Sequence, residues 1–224
     1  MNKLYLVGAA HLDIDAYKRL ERFLVTSQPA AVGIEDTEND FRKTLTAAQH
    51  PDAIQFSVNN WQSHFQSCNT QTVTLLVENV VYKILLIGQY LHGGKLLFCD
   101  NPAVVESPAF EGALAAFITK RSSKLEELVR MSPEQLRQDV AHEYAQQSYP
   151  VSDNTVLVQF YSTRDAFAEQ VLRQQLLKPT IGPIVNVGGL DHIYGDYYPN
   201  LFDRLADSNP VRMKLSETDK LPAV

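Results

Sequence analysis

Apolar residues fall in two patterns along this chain: short unbroken runs that stop at glycine, proline or a charged residue, and longer stretches with a helical period. The runs "KLYLVGAA" (3–10), "AAVGIED" (30–36), "KLLFCD" (95–100) and "PIVNVG" (183–188) read as buried strands, the kind that parallel sheets contain. Between the first two, "DIDAYKRLERFL" (13–24) sets Ile14, Tyr17, Leu20 and Leu24 on one helical face, so the chain opens with a βαβ unit. Residues 72–91 predict a long helix, with Gly93 and Gly94 supplying a left-handed cap before the third strand.

Two or three helices follow in series over 108–121, 122–131 and 132–147. The last carries Ser132, Pro133 and Gln135 in a capping-box arrangement. "TVLVQFY" (155–161) is rich in β-branched and aromatic residues and reads as a short strand, the favoured reading, or as the first part of the helix "RDAFAEQVLRQQLL" (164–177) that it leads into. "YYPNLFDRLAD" (197–207) reads as a closing helix, and the polar residues from Asn209 as a tail that is frayed or loosely docked. In the segment 38–65 "ENDFRKTLTAA" could be a helix, while the aromatic and polar residues that follow have no firm period. The expected fold is α/β: a mainly parallel central sheet with flanking helices, in one domain over 1–208, with a helical insertion or cap at about 104–150 and a polar C-terminal tail over 209–224.

Composition narrows the function. A net charge of -6 gives no basic footprint for nucleic acid, and 45% hydrophobic with 21% charged residues is ordinary for a globular chain. The start "MNKLYLVGAAHLDID" reaches acidic residues too soon for a signal peptide, and the most apolar stretch (74–91) carries Glu78 and Lys83. No membrane span is expected, and the chain reads as soluble and cytoplasmic. Cys68 and Cys99 form neither a disulfide framework nor a zinc pattern, so both read as reduced thiols.

The chemistry-bearing pattern is Gly-x-x-His, which occurs as Gly8 to His11 and again as Gly189 to His192, each time after an apolar run. Both histidines therefore fall at the carboxyl edge of a strand, where open α/β sheets gather their ligand sites, and the glycines allow close backbone approach. The plain alternative is that each imidazole caps a strand end. Glu35 ends the second strand at the same edge, and two histidines with a carboxylate suit a divalent ion such as Zn, Mn, Co or Fe. A loop acid or helix N-cap is the competing reading. Arg164 and Asp165 open the predicted helix at 164. An aspartate there is explained by the helix dipole, whereas a cation there calls for an anionic partner, either Glu35 or a developing oxyanion, unless Arg164 is a plain surface residue.

The ordered set "VGAAHLD", "PAAVGIE", "DNP", "YSTRDAFAEQVL" and "VNVGGLDH" resembles the TraB/PrgY and Tiki superfamily, which is itself similar to the erythromycin-esterase and haem-binding ChaN folds. The likeness spans residue 4 to about 205, and its matching positions are His11, Glu35, Arg164 and His192. The family's arginine after the strand-two glutamate is replaced here by Asp40, and its Asp-Arg-Pro by Asp100-Asn101-Pro102. The resemblance implies a metal-dependent hydrolase, a peptidase in Tiki-like members, acting on a peptide or small molecule. His11 and His192 would hold Mn, Co or Zn, Gly8 and Gly189 would shape the cofactor site, Glu35 would be a third ligand or general base, and Arg164 would assist. The alternative is a non-catalytic binder of a small molecule, peptide or haem, with Tyr194, Tyr197 and Tyr198 near the cleft.

Overall fold

Parallel strands covered by helices on both faces pair the backbone of the inner strands within the sheet, and the chain adopts that solution. The structure, a computed structural model, describes residues 3–65, 67–147, 155–196 and 198–221. The fold is α/β, built on one five-stranded, all-parallel sheet of β1 (Leu4–Ala9), β2 (Ala31–Ile34), β3 (Leu96–Phe98), β4 (Ile184–Gly189) and β5 (Val211–Lys214), in the spatial order β3-β2-β4-β1-β5. The chain steps outward through β2 to β3, then returns to place β4 between β1 and β2. All six β4 residues are buried as a result.

The helices in chain order are α1 (Ala16–Ser27), α2 (Glu38–Ala48), α3 (Ala53–His64), α4 (Thr70–Gly88), α5 (Pro102–Val105), α6 (Pro108–Arg130), α7 (Pro133–Ala145), α8 (Thr155–Leu176), α9 (Leu190–Tyr194) and α10 (Leu201–Arg204). Val7, Val32, Val185 and Val187 on one sheet face pack with Leu20 and Leu24 of α1, Leu76 and Ile87 of α4, and Leu136 and Val140 of α7. On the other face Leu4, Leu6 and Ile184 pack with Ala168 and Leu172 of α8 and Leu201 of α10. By length and composition α4 could cross a membrane. Half of that stretch is buried inside the fold, against α1, α2 and α3, as a core helix of a soluble protein is.

Several elements differ from the sequence reading. Residues 155–161 are the start of the continuous helix α8, because Leu157, Asp165, Ala168, Leu172 and Gln175 form one buried stripe at helical spacing that outweighs the local β preference. Arg164 and Asp165 therefore lie in mid-helix. Of the two or three helices expected in series there are two, α6 over 108–130 and α7, and α7, with its capping box at Ser132 and Gln135, contributes Leu136 and Tyr144 to the main core instead of standing outside it as a cap. Helix α4 ends at Gly88, so Gly93 and Gly94, at φ 79° and 67°, shape the turn that follows and not the cap. Among the described residues of the expected closing helix only Leu201–Arg204 is α-helical, opened by Asn200, whose side chain accepts from the Phe202 and Asp203 amides. The segment read as a loose tail supplies edge strand β5, paired with β1, and a 3-10 helix at Leu215–Lys220 whose Leu215 is buried.

Candidate active site

The return of β4 between β1 and β2 decides the site. Gly8 pairs with Gly188 and Ala9 with Gly189, so the two Gly-x-x-His segments leave adjacent parallel strands at the same edge, with Glu35 leaving the next one. That is the position where a strand-order reversal opens a crevice.

The first loop is pinned from below. The Tyr144 hydroxyl of α7 accepts from the Ala10 amide at 3.1 Å and donates to Asp13 at 2.9 Å, while Arg19 grips the same Asp13 oxygen at 2.6 Å. His11 sits on this loop with its ring exposed. A Cβ at Gly189 would lie 3.3 Å from His11 Nε2 and 2.6 Å from Asp191 Oδ1, so a larger residue would collide with the site's own side chains. The open space at Gly8 is taken by Leu190 in the same way. At Gly188 the Glu35 carboxylate occupies the position of a Cβ, and Glu35 Oε2 accepts from the Gly189 amide at 2.9 Å.

His192 is buried on α9. Its Nδ1 lies 2.5 Å from Asp165 Oδ1, its Nε2 lies 3.8 Å from Glu35 Oε1, and the Tyr161 ring meets it edge-on at 4.9 Å. Arg164 turns towards the same place but binds Asp100 as a two-pronged pair, Nε to Oδ1 and Nη2 to Oδ2, both at 2.7 Å. The expected grip on Glu35 is therefore replaced by one on Asp100, which follows β3. The guanidinium acts on Glu35 through charge.

The charges are coupled. Burial alone would lower the His192 pKa, but the Glu35 and Asp165 carboxylates outweigh it and hold the imidazole up to about 10. Burial pushes Glu35 above the usual carboxylate range, against the opposing pull of His192 and Arg164. One fifth of the Glu35 side chain remains open to solvent, which moderates that push. Burial would raise Asp191 as well, yet His192 and His11 on either side keep it below its ordinary value. Asp36, next to Glu35, is pushed up to about 6 by burial.

Glu35, Cys99, Asp100, Arg164, Asp165 and His192 line one small cavity of about 10 Å³, room for a single water and far too little for a haem. Tyr194 is occupied in stacking on Arg212 at 4.5 Å, and Tyr197 lies outside the described residues. Among the described residues no group of three or more His, Cys, Asp or Glu side chains converges with metal-binding geometry. His192 Nε2 and Glu35 Oε1 offer two donors, and His11 stands beyond Gly189. Sequence reasoning missed three residues of the site. Asp165 looks like a helix-opening acid in the sequence but lies in mid-helix, and Asp100 looks like the end of an apolar run. Asn186 carried a usable signal as the one polar residue within an apolar run. No family model, curated protein or solved structure matches the chain.

Proposed function

We propose that the protein is a hydrolase acting on a peptide or small-molecule substrate, with Glu35 as general base and His192 as general acid. The supporting observation is the 3.8 Å between His192 Nε2 and Glu35 Oε1, with Nδ1 anchored on Asp165. That separation is too long for a direct hydrogen bond and places a water or a substrate atom within reach of both groups. At neutral pH an imidazole with a pKa of about 10 carries the proton that a leaving group needs. Glu35 takes a proton from water as the water oxygen bonds to the carbonyl carbon. The bond to the leaving nitrogen or oxygen then breaks, and His192 Nε2 protonates it. Arg164, fixed by Asp100, favours the ionised form of Glu35. Two unpaired cysteines agree with a cytoplasmic setting.

The test is a panel of ester, amide and peptide substrates. Glu35→Gln and His192→Gln are each expected to lower turnover by about 100-fold or more. Full activity in Glu35→Gln would remove the base from this scheme. A protein that binds members of the panel and cleaves none is instead the non-catalytic binder.

A second reading, the metal-dependent form implied by the TraB/Tiki resemblance, is favoured by the Asp165–His192 pair, since metal-ligating histidines commonly donate their other nitrogen to a carboxylate. A bound divalent ion would supply Lewis acidity and a more acidic water. The two donors His192 Nε2 and Glu35 Oε1 are one short of the usual three protein ligands, and His11 is the residue that would have to turn inward to complete the set. Elemental analysis of untagged protein, with thermal shifts in Zn, Mn and Co for wild type and a His11→Ala/His192→Ala variant, separates the two forms.

A further inference from the structure

The centre of β4 carries a polar group that the chemistry above does not use. Asn186 is fully buried, lies in register with Leu6 of β1 and Gly33 of β2, and has no hydrogen-bond partner for either Nδ2 or Oδ1. Buried amides are nearly always satisfied, so such a group calls for a ligand. The neighbouring strand makes room for it: a Cβ at Gly33 would lie 2.5 Å from Asn186 Oδ1 and 3.0 Å from Cys99 Sγ. Asn186 lines the same cavity of about 10 Å³ as Glu35, Arg164, Asp165 and His192. Asp165 Oδ2, the oxygen not engaged with His192, is also buried without a hydrogen bond. The Tyr198 hydroxyl is coupled to Asp165 by charge and by a loose side-chain contact that falls outside hydrogen-bond geometry, so it leaves the buried oxygen open to a better-placed donor.

We infer that Asn186 is a positioning residue that holds the hydrolytic water in the cavity shared with Glu35 and His192. The word hydrolytic rests on the function proposed above, whereas the water site rests on the amide and the cavity alone. Asn186 Nδ2 donates to the water oxygen, and the water donates to Asp165 Oδ2 or Glu35, which meets the two to four partners that a buried water needs. A neutral amide does this without adding charge to a site already crowded with carboxylates. By occupying one lone pair of the water, the amide fixes which lone pair faces the substrate, and a proton leaves towards Glu35 as attack proceeds.

High-resolution crystal structures of wild type and Asn186→Leu, which is close in volume, test this directly. The wild type should show one ordered water within roughly 3.2 Å of the Asn186 amide, and the variant should lose it. A dry wild-type cavity, or a water that persists unmoved in the variant, overturns the site. Should Asn186→Leu fail to fold, Gly33→Ala keeps the amide but crowds it, and the water should move or vanish there. With a cleaved substrate in hand, Asn186→Leu should lower kcat by about tenfold or more while KM stays within about twofold, a split that general loss of structure does not produce. Unchanged kcat overturns the positioning role. A water lost in Asn186→Leu from a protein that hydrolyses nothing keeps the site and overturns the hydrolase reading.

Discussion

Asp100 and Glu35 both lie beside Arg164, but they stand to it differently. Asp100 accepts two short hydrogen bonds from a guanidinium with 16% of its side chain exposed, and its own side chain is 7% exposed. Glu35 meets Arg164 only through its field. Removing one partner of a buried pair leaves the other charge without compensation, so Asp100→Ala should cost about 3–5 kcal/mol in urea denaturation. Glu35→Gln should cost less than that, because burial already disfavours its ionised form, although the change also removes one of the two carboxylates that hold the His192 imidazolium. The opposite ranking would mean that Arg164 is paired with Glu35 after all. The sequence exposed Arg164 as a cation in need of an anion but could not name the anion. Asp100 and Arg164 are distant in the chain, and the packing of α8 against β3 brings them together.

The elements that the sequence revealed are those whose burial is two-sided. β1, β2, β3 and β4 are apolar runs because helices cover both sheet faces, and such runs stand out without any knowledge of neighbours. Strand order is a non-local property, and the placement of β4 between β1 and β2 carries no mark in either strand. Helix α8 misled because Val, Phe and Tyr favour strands locally while the packing of Leu157, Ala168 and Leu172 decides the outcome. The C-terminal segment misled because an edge strand with one side exposed looks polar. Its role is testable at Leu215, which is 1% exposed against the main core, in a segment whose Asp219 is bound by Arg19 and Arg22 from α1. Leu215→Ala should cost about 2–5 kcal/mol by chemical denaturation. Ending the chain after Asn209 should also leave the β1 edge unpaired, seen as aggregation in light scattering. A loosely docked tail would show neither effect.

At the scale of the whole molecule, the coupled site sets how stability varies with pH. His192 is held up to about 10, against an ordinary value of about 6.5 in the unfolded chain. A group whose folded pKa is raised contributes stability that is fully present below the unfolded value and lost as pH rises through the folded one. For His192 that window runs from about 6.5 to about 10, and the gap caps its contribution at about 5 kcal/mol. Asp36, pushed up to about 6, acts with the same sign, its contribution being lost as pH rises from about 4 to about 6 and reduced by its half-exposed position. Glu35, also raised, adds to the loss as it ionises. Asp191 opposes them, since its lowered pKa supplies stability above its ordinary range that is lost only in acid. The balance places the stability maximum on the acid side of neutrality. Urea midpoints measured from pH 5 to 10 should fall steadily above pH 7 in the wild type, and His192→Asn should flatten that fall while leaving the acid limb in place. A decline above pH 7 that is as steep in His192→Asn as in the wild type would show that His192 is not held protonated by Glu35 and Asp165, and the general acid proposed for the site would lose its proton supply.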